Sequence, residues 1–309
     1  MKIVLIIVWF GSLPNYFSYW IQSAKYNQDY DFLFLTDSDD IRIKGNNIKR
    51  VHITFNEIKE LVYKKLNVQM HSLNAYKMCD LKPAYGYLFH EYIKKYDYWG
   101  HIDIDTILGN LNHFLLKDNI FKYDKILDRG HFALYRNNPE VNKRFMLPFN
   151  NIDYKLIFSS KYSFAFDESC RQSITTIYNK YNFEYLKKIK NFSFDVNCGF
   201  YDFFDVNTNI KADVFIWNNG KLMYRSNDKL IEIGYVHLQK RKISLEQKYN
   251  NNNIDLHTFY IYPNSITIKQ KTIQYPSIYI KFKYYVSHHL INNAKIFFKV
   301  LERKIVTKC

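Results

Sequence analysis

The 309 residues read as an α/β chain whose central sheet is mixed, mainly parallel and flanked by helices. Three observations lead there. The first strands are apolar throughout instead of alternating, as a strand buried on both faces requires. They take turns with segments of helical periodicity. The residues suited to chemistry, Gly11, Asp37 and the pair Asp103 and Asp105, follow apolar runs. Those are the C-terminal strand ends where open α/β sheets bind ligands.

The elements follow in order along the chain. Ile3 to Phe10 is a first strand, closed by Gly11-Ser12-Leu13-Pro14, and a helix is expected from Tyr16 to Ala24. Phe32 to Leu35 is a second strand that runs into Thr36-Asp37. A short strand at Ile48 to His52 and a helix from Phe55 to Leu66 come next. Pro83 suits the first turn of a helix reaching Lys95. Tyr98 to Ile104 reads as a strand ending in Asp103-Ile104-Asp105, with a short helix to Leu116 beyond Gly109-Asn110. Lys125 to Tyr135 alternates as a strand does, whereas residues 137–194 show no clear period. Asn218-Asn219-Gly220-Lys221 between two apolar runs is a hairpin signal. Glu232 to Leu238 is a further strand, and Asn250 to Asn253 reads as a linker. Beyond it a strand is expected at Ile278 to Tyr285 and an amphipathic helix at Val286 to Val306. The expected division is a catalytic domain over 1–262 and a basic helical appendage over 263–309, with no internal repeat.

Composition narrows the classes. Apolar residues make up 47% of the chain and aromatics 18%, enough for a large core and too much for a disordered chain. A net charge of +15 calls for an anionic partner: phosphorylated substrate, anionic membrane or nucleic acid. From Lys269 onward nine Lys/Arg face one acid, Glu302, so the tail holds about half of that charge. No helix-turn-helix, zinc-finger or RNP pattern accompanies it, so nucleic acid is not the expected partner. The four cysteines lack metal or redox spacing and read as free thiols of a reducing compartment. The apolar N-terminus has no small-residue cleavage site behind it, and no run is long enough to span a membrane. A cytoplasmic protein is expected, with the tail able to lie on the inner face of the cytoplasmic membrane.

The chemistry centres on Asp103 and Asp105. One residue apart at a strand end, the two carboxylates would project to one side and repel unless a cation neutralised them. Hard oxygen ligands suit Mg²⁺ or Mn²⁺, which can bridge a diphosphate. The context carries a resemblance. Tyr76-Lys77-Met78-Cys79-Asp80-Leu81-Lys82-Pro83 and Tyr98-Trp99-Gly100-His101-Ile102-Asp103-Ile104-Asp105 are its first two blocks. Trp9-Phe10-Gly11-Ser12-Leu13-Pro14, Gly130 to Asn137, Phe164 to Glu168 and Tyr235 to Arg241 are the others. Together these six blocks, in sequence from about residue 3 to 242, resemble a family of bacterial capsule and O-antigen polysaccharide-locus glycosyltransferases with the Rossmann-like GT-A fold.

That resemblance implies a nucleotide-sugar donor (a UDP-sugar by family habit), a divalent metal, and a surface glycan or lipid-linked oligosaccharide as acceptor. Asp103 and Asp105 match its metal pair, and His237 matches a late histidine that completes the metal shell. Phe10, Gly11 and Asp37 fall where the nucleotide would lie; Asp37 alternatively caps the next turn. Lys82 stands beside an expected helix N-terminus, a pairing that makes sense around a phosphate. Lys240 and Arg241 would clamp the diphosphate, or form an ordinary charged turn. Asp167 or Glu168 would be the base of an inverting hexosyltransferase, or cap a helix from Ser169 to Tyr178. His131 and Arg136 would face acceptor or donor sugar. A sugar-nucleotide nucleotidyltransferase is the alternative enzyme, but its glycine-rich loop is not seen. A basic nucleic-acid-binding protein is the alternative outside enzymes.

Overall fold

The computed structural model describes residues 1–38, 45–116, 119–149, 152–239, 241–247, 256–272, 277–286 and 290. Its centre is a seven-stranded sheet. In chain order the strands are β1 (Ile3–Trp9), β2 (Tyr30–Thr36), β3 (Ile48–His52), β4 (Tyr98–Ile102), β6 (Lys125–Arg129), β7 (Phe132–Arg136) and β8 (Tyr185–Leu186). Two more, β5 (Thr106–Leu108) and β9 (Ser193–Asp195), lie outside it. The spatial order is β3-β2-β1-β4-β7-β6-β8, and only β7 runs against the rest. The expected α/β class with a mainly parallel sheet is therefore what the chain adopts.

The wholly apolar first strand has the predicted cause. Ile3, Leu5 and Ile7 pack into one core, and Val4 and Ile6 into a second on the opposite face. The first core is covered by helix α1 (Phe17–Lys25), through Phe17, Trp20 and Ile21, and by a six-stranded sheet that contributes Phe215, Trp217 and Phe259. The second is covered by helix α2 (Phe55–Leu66), through Ile58, Val62 and Leu66, and by the helical run after residue 75. Thr54 and Glu57 form a reciprocal capping box at the start of α2.

Four expectations are corrected. The helix expected over Pro83 to Lys95 is a broken path of short turns from Ala75 to Ile93, because Pro83 lacks the N–H that would continue the α-helix Met78–Leu81. Lys125 to Tyr135 is a hairpin of two strands turning at Gly130 and His131. The Glu232 to Leu238 strand is split at Gly234 into Lys229–Ile233 and Tyr235–His237. Residues 278–286 are helical, not a strand. The hairpin Thr258–Tyr262 and Ser265–Thr267 carries the six-stranded sheet past residue 262, where the domain border was expected. The expected linker and most of the helix expected from Val286 lie outside the described residues. Among the described residues no helix is long and apolar enough to cross a membrane.

Candidate active site

Parallel pairing places the functional positions on one edge. Trp9 registers with Thr36 and Ile6 with His101, so β1, β2 and β4 all end on the same side. Phe10-Gly11, Asp37 and Asp103 leave the sheet there. Gly11 has φ of +88°, open space where a side chain would stand, and is exposed. Phe10 is half-buried against the Phe55 ring, 5.7 Å away. Asp37 is exposed, and the turn at Asp37 is closed by Thr36 Oγ1, which accepts from Ser38 N–H at 3.2 Å.

Asp103 and Asp105 converge by a route other than the one expected. Strand β4 stops at Ile102, so strand alternation does not set their direction. They occupy a turn into β5. Asp103 N–H donates to His131 O (3.1 Å) and Thr106 Oγ1 donates to Asp103 O (2.6 Å). Ile104 is wholly buried and plugs the turn into the core, which leaves the flanking carboxylates to face the site. Leu238 N–H donates to Asp105 O at 2.8 Å and ties this turn to the strand Tyr235–His237.

That strand lies between β5 and β9, antiparallel to the first and parallel to the second. His237 registers with Thr106 on one side and Asp195 on the other. Its Nε2 is 3.4 Å from Asp105 Oδ1, and its Nδ1 is 2.8 Å from Asp195 Oδ1, which also accepts from Gln239 Nε2 at 2.8 Å. Burial pulls the His237 pKa down, but the two carboxylates outweigh it and lift it to about 10. His131 stacks on His237 with centroids 4.3 Å apart, and its Nδ1 meets Tyr235 Oη at 2.9 Å. Burial and the neighbouring His237 hold His131 well below the usual histidine range.

Asp103, Asp105 and His237 bring one ligand atom each within 4.8 Å of the others. Two hard carboxylates and an imidazole are a donor set suited to Mn²⁺ or Mg²⁺. Asp195 supports the fit, because a carboxylate on Nδ1 keeps Nε2 turned toward the acid pair. His131, Asp195 and His237 form a second close group behind the first.

Lys82 links this cluster to the acids expected to do base chemistry. Its ammonium is 2.7 Å from Asp103 Oδ1 and 3.0 Å from Asp167 Oδ2, and donates to Gly130 O at 2.7 Å. Lys82 is buried within the helical path, where it opens the three-residue 3-10 turn Lys82–Ala84 directly after the helix Met78–Leu81. Asp167 is buried; burial raises its pKa to about 7 against the opposing pull of Lys82. Its Oδ1 has no hydrogen-bond partner among the described residues. Glu168 is exposed and accepts from Gly130 N–H at 3.2 Å; a Cβ at Gly130 would run into that carboxylate. Neither acid caps the next helix, which starts at Ile174 behind Ser173.

Two expected site residues lie elsewhere. Arg136 is at the far end of antiparallel β7, in register with Tyr98 at the start of β4. It pairs with Asp124 at 2.8 Å and lies over the Tyr98 ring. Arg241 is buried and donates to Tyr201 O (2.7 Å), Phe200 O and Tyr284 Oη (3.1 Å). It is tied into the packing of the helical residues 278–286 instead of facing the acid pair. Lys240 lies outside the described residues. Asp195, Gln239 and Tyr235 were missed. The alternation Phe192-Ser193-Phe194 running into Asp195 carries the same strand-end signal as Asp37, in a stretch whose short strands hid it.

A family model described as a family of unknown function, DUF6625, matches residues 5–270, so the chain belongs to that family. No functionally curated protein matches it by sequence. Among solved structures, the galactosyltransferase LgtC in complex with donor and acceptor sugar analogues aligns at 17% identity. That alignment covers 63% of this chain and 76% of LgtC, with a TM-score of 0.34. Mouse xyloside xylosyltransferase 1 aligns at 9% identity over 63% of this chain and 88% of its own, with a TM-score of 0.39. GlyE of Streptococcus pneumoniae TIGR4 aligns at 10% identity over 60% and 45%, with a TM-score of 0.34. These likenesses are partial, and the functional reading rests on the site's own geometry.

Proposed function

We propose that the chain is a metal-dependent glycosyltransferase of the GT-A type, which moves a sugar from a nucleotide-sugar donor to a hydroxyl of a growing surface glycan. One observation carries the reading: the convergence of Asp103, Asp105 and His237 at the C-terminal edge of the sheet, with Lys82 joining Asp103 to Asp167. A bound Mn²⁺ or Mg²⁺ would act there as a Lewis acid on the diphosphate leaving group. The chain's own groups do the rest. Asp195 and Gln239 hold the His237 ring in its orientation. Lys82 sets its positive charge beside the acids, where negative charge builds on the departing nucleotide. Asp167, with a pKa of about 7, is balanced between its forms near neutrality, as a base for the acceptor hydroxyl requires. Gly11 and Asp37 lie on the same edge, where the nucleoside of a UDP-sugar would rest.

A panel of UDP-, GDP- and CMP-sugars with Mn²⁺, read by hydrolysis and thermal shift, tests this. Stabilisation by one nucleotide class is expected, and its loss in an Asp103→Ala, Asp105→Ala double variant. If no donor binds the wild type better than that variant, the reading fails.

The acceptor's carrier follows from a second surface. Ile278, Tyr279 and Phe282 are exposed on the helical residues 278–286, as is Leu290 beyond them, with Phe200, Val206 and Ile210 exposed on the loop around residue 200. Lys281 and Lys283 are interleaved with them. An apolar, basic surface of this kind suits the interface of an anionic membrane, where lipid-linked oligosaccharides reside. Deleting residues 277–309 should abolish co-sedimentation with phosphatidylglycerol liposomes. Retained binding would discard the membrane assignment and leave the transferase reading untouched.

A further inference from the structure

We infer that Asp80 is a positioning residue, which holds the turn at residues 163–167 in the shape that brings Asp167 onto Lys82. The inference rests on the reading of Asp167 as the base, and adds what puts it in place. Asp80 is fully buried. Its carboxylate accepts from Phe164 N–H at 3.1 and 3.0 Å, from Phe166 N–H at 3.1 Å and from Ser163 Oγ at 3.4 Å. Buried Lys77 pairs with it at 2.9 Å and donates to Ile157 O (2.5 Å) and Tyr162 O (2.6 Å), which anchors the same loop one residue earlier.

Ala165 lies between the two gripped amides with φ of +55°. A non-glycine residue holds that conformation only where its surroundings impose it. The turn then closes through Glu168 N–H to Ala165 O at 3.1 Å, and the next inward group is Asp167. One short helical stretch thus carries both grips. Asp80 takes the backbone of 164 and 166, and two residues later Lys82 takes the side chains of Asp167 and Asp103. A buried carboxylate that accepts from this many backbone donors shapes the loop, since an apolar residue of the same volume would leave those N–H groups without an acceptor.

The test compares wild type, Asp80→Ala, Ala165→Val, and Asp80→Ala with Ala165→Gly. Amide exchange of residues 162–168 by mass spectrometry is read beside Mn²⁺-dependent hydrolysis of UDP-galactose, UDP-glucose and UDP-N-acetylglucosamine. Asp80→Ala should speed exchange in that segment at least tenfold, lower kcat at least tenfold and leave KM within about twofold. Glycine, at ease at positive φ, should recover part of both losses. Ala165→Val disturbs the turn with Asp80 intact, so it should lower kcat even if Asp80→Ala fails to fold. Unchanged exchange in 162–168, or equal loosening of the whole protein, would overturn the inference. Failure of the base reading shows separately, as an Asp167→Asn variant that keeps its turnover.

Discussion

Replacing Lys82 by methionine removes one cation from a buried junction. In the wild type that cation lies 2.7 Å from Asp103 and 3.0 Å from Asp167, and the Asp167 side chain is only 3% exposed. Deleting one partner of a buried pair leaves the other charge uncompensated and costs about 3–5 kcal/mol. Against a typical total of about 5–15 kcal/mol, that is a large fraction of the stability. Asp103 can shed part of its strain because its side chain is 31% exposed, so most of the cost should trace to Asp167. A double-variant cycle isolates it. Lys82→Met combined with Asp167→Asn should cost at least ~1 kcal/mol less than the sum of the single variants, read by urea denaturation at pH 7. The same substitution shifts the acid. Lys82 holds the Asp167 pKa down toward about 7, so removing it lets burial push the carboxyl higher. With Asp167 as the proposed base, kcat/KM should rise with pH around 7 in the wild type and at higher pH in Lys82→Met. A loss below ~1 kcal/mol with strict additivity would refute a shared buried junction, whatever the activity.

Three further outcomes follow from the same geometry. Lys125 is buried under the Tyr178 and Tyr185 rings, and burial lowers its pKa to about 7 from 10.5. The fold thus disfavours its proton; that penalty is complete below pH 7 and fades as pH rises toward 10.5, so Lys125→Met should stabilise the protein at pH 6 and gain nothing near pH 10 in thermal melts. Asp195→Ala should weaken Mn²⁺ binding roughly 10–100-fold in calorimetry, because the His237 ring loses the partner that orients it; unchanged affinity would remove Asp195 from the metal's support. Arg136→Ala should leave nucleotide affinity within about twofold while lowering the melting temperature, since its partners are Asp124 and the Tyr98 ring; a selective loss of donor binding would contradict its placement.

Legibility followed the range of the forces involved. Strands β1 to β3 and helix α2 were readable because each is set by a local pattern: two-sided burial for the strands, a capping box and apolar period for the helix. The acid pair was readable as chemistry but not as geometry, since the turn that aims it is held by its own Thr106 and by two distant segments, through His131 and Leu238. Lys82 opens only a three-residue 3-10 turn, and its ion-pair partners lie 21 and 85 positions away, where no local period reports them. Arg136 was misplaced for a related reason. A hairpin read as one strand cannot reveal that its second half runs backward and carries its last residue to the far end of the sheet.

The charge balance of the site argues for its ligand more strongly than the acid pair alone. Asp103, Asp105, Asp195 and Asp167 converge around two cations, Lys82 and a His237 held protonated up to about 10. Three of the four acids are nearly inaccessible to water. With all four ionised the cluster carries two negative charges in excess, and buried uncompensated charge is costly. Two routes relieve it. Asp167 can take up a proton, as its raised pKa indicates, or a divalent cation can bind at Asp103, Asp105 and Nε2 of His237. In the proposed transferase the second route would displace the His237 proton and leave Asp167 free to ionise near neutral pH, which would couple metal binding to the readiness of Asp167 as a base. Were the acids only structural, an apolar core of the same size would serve with less cost.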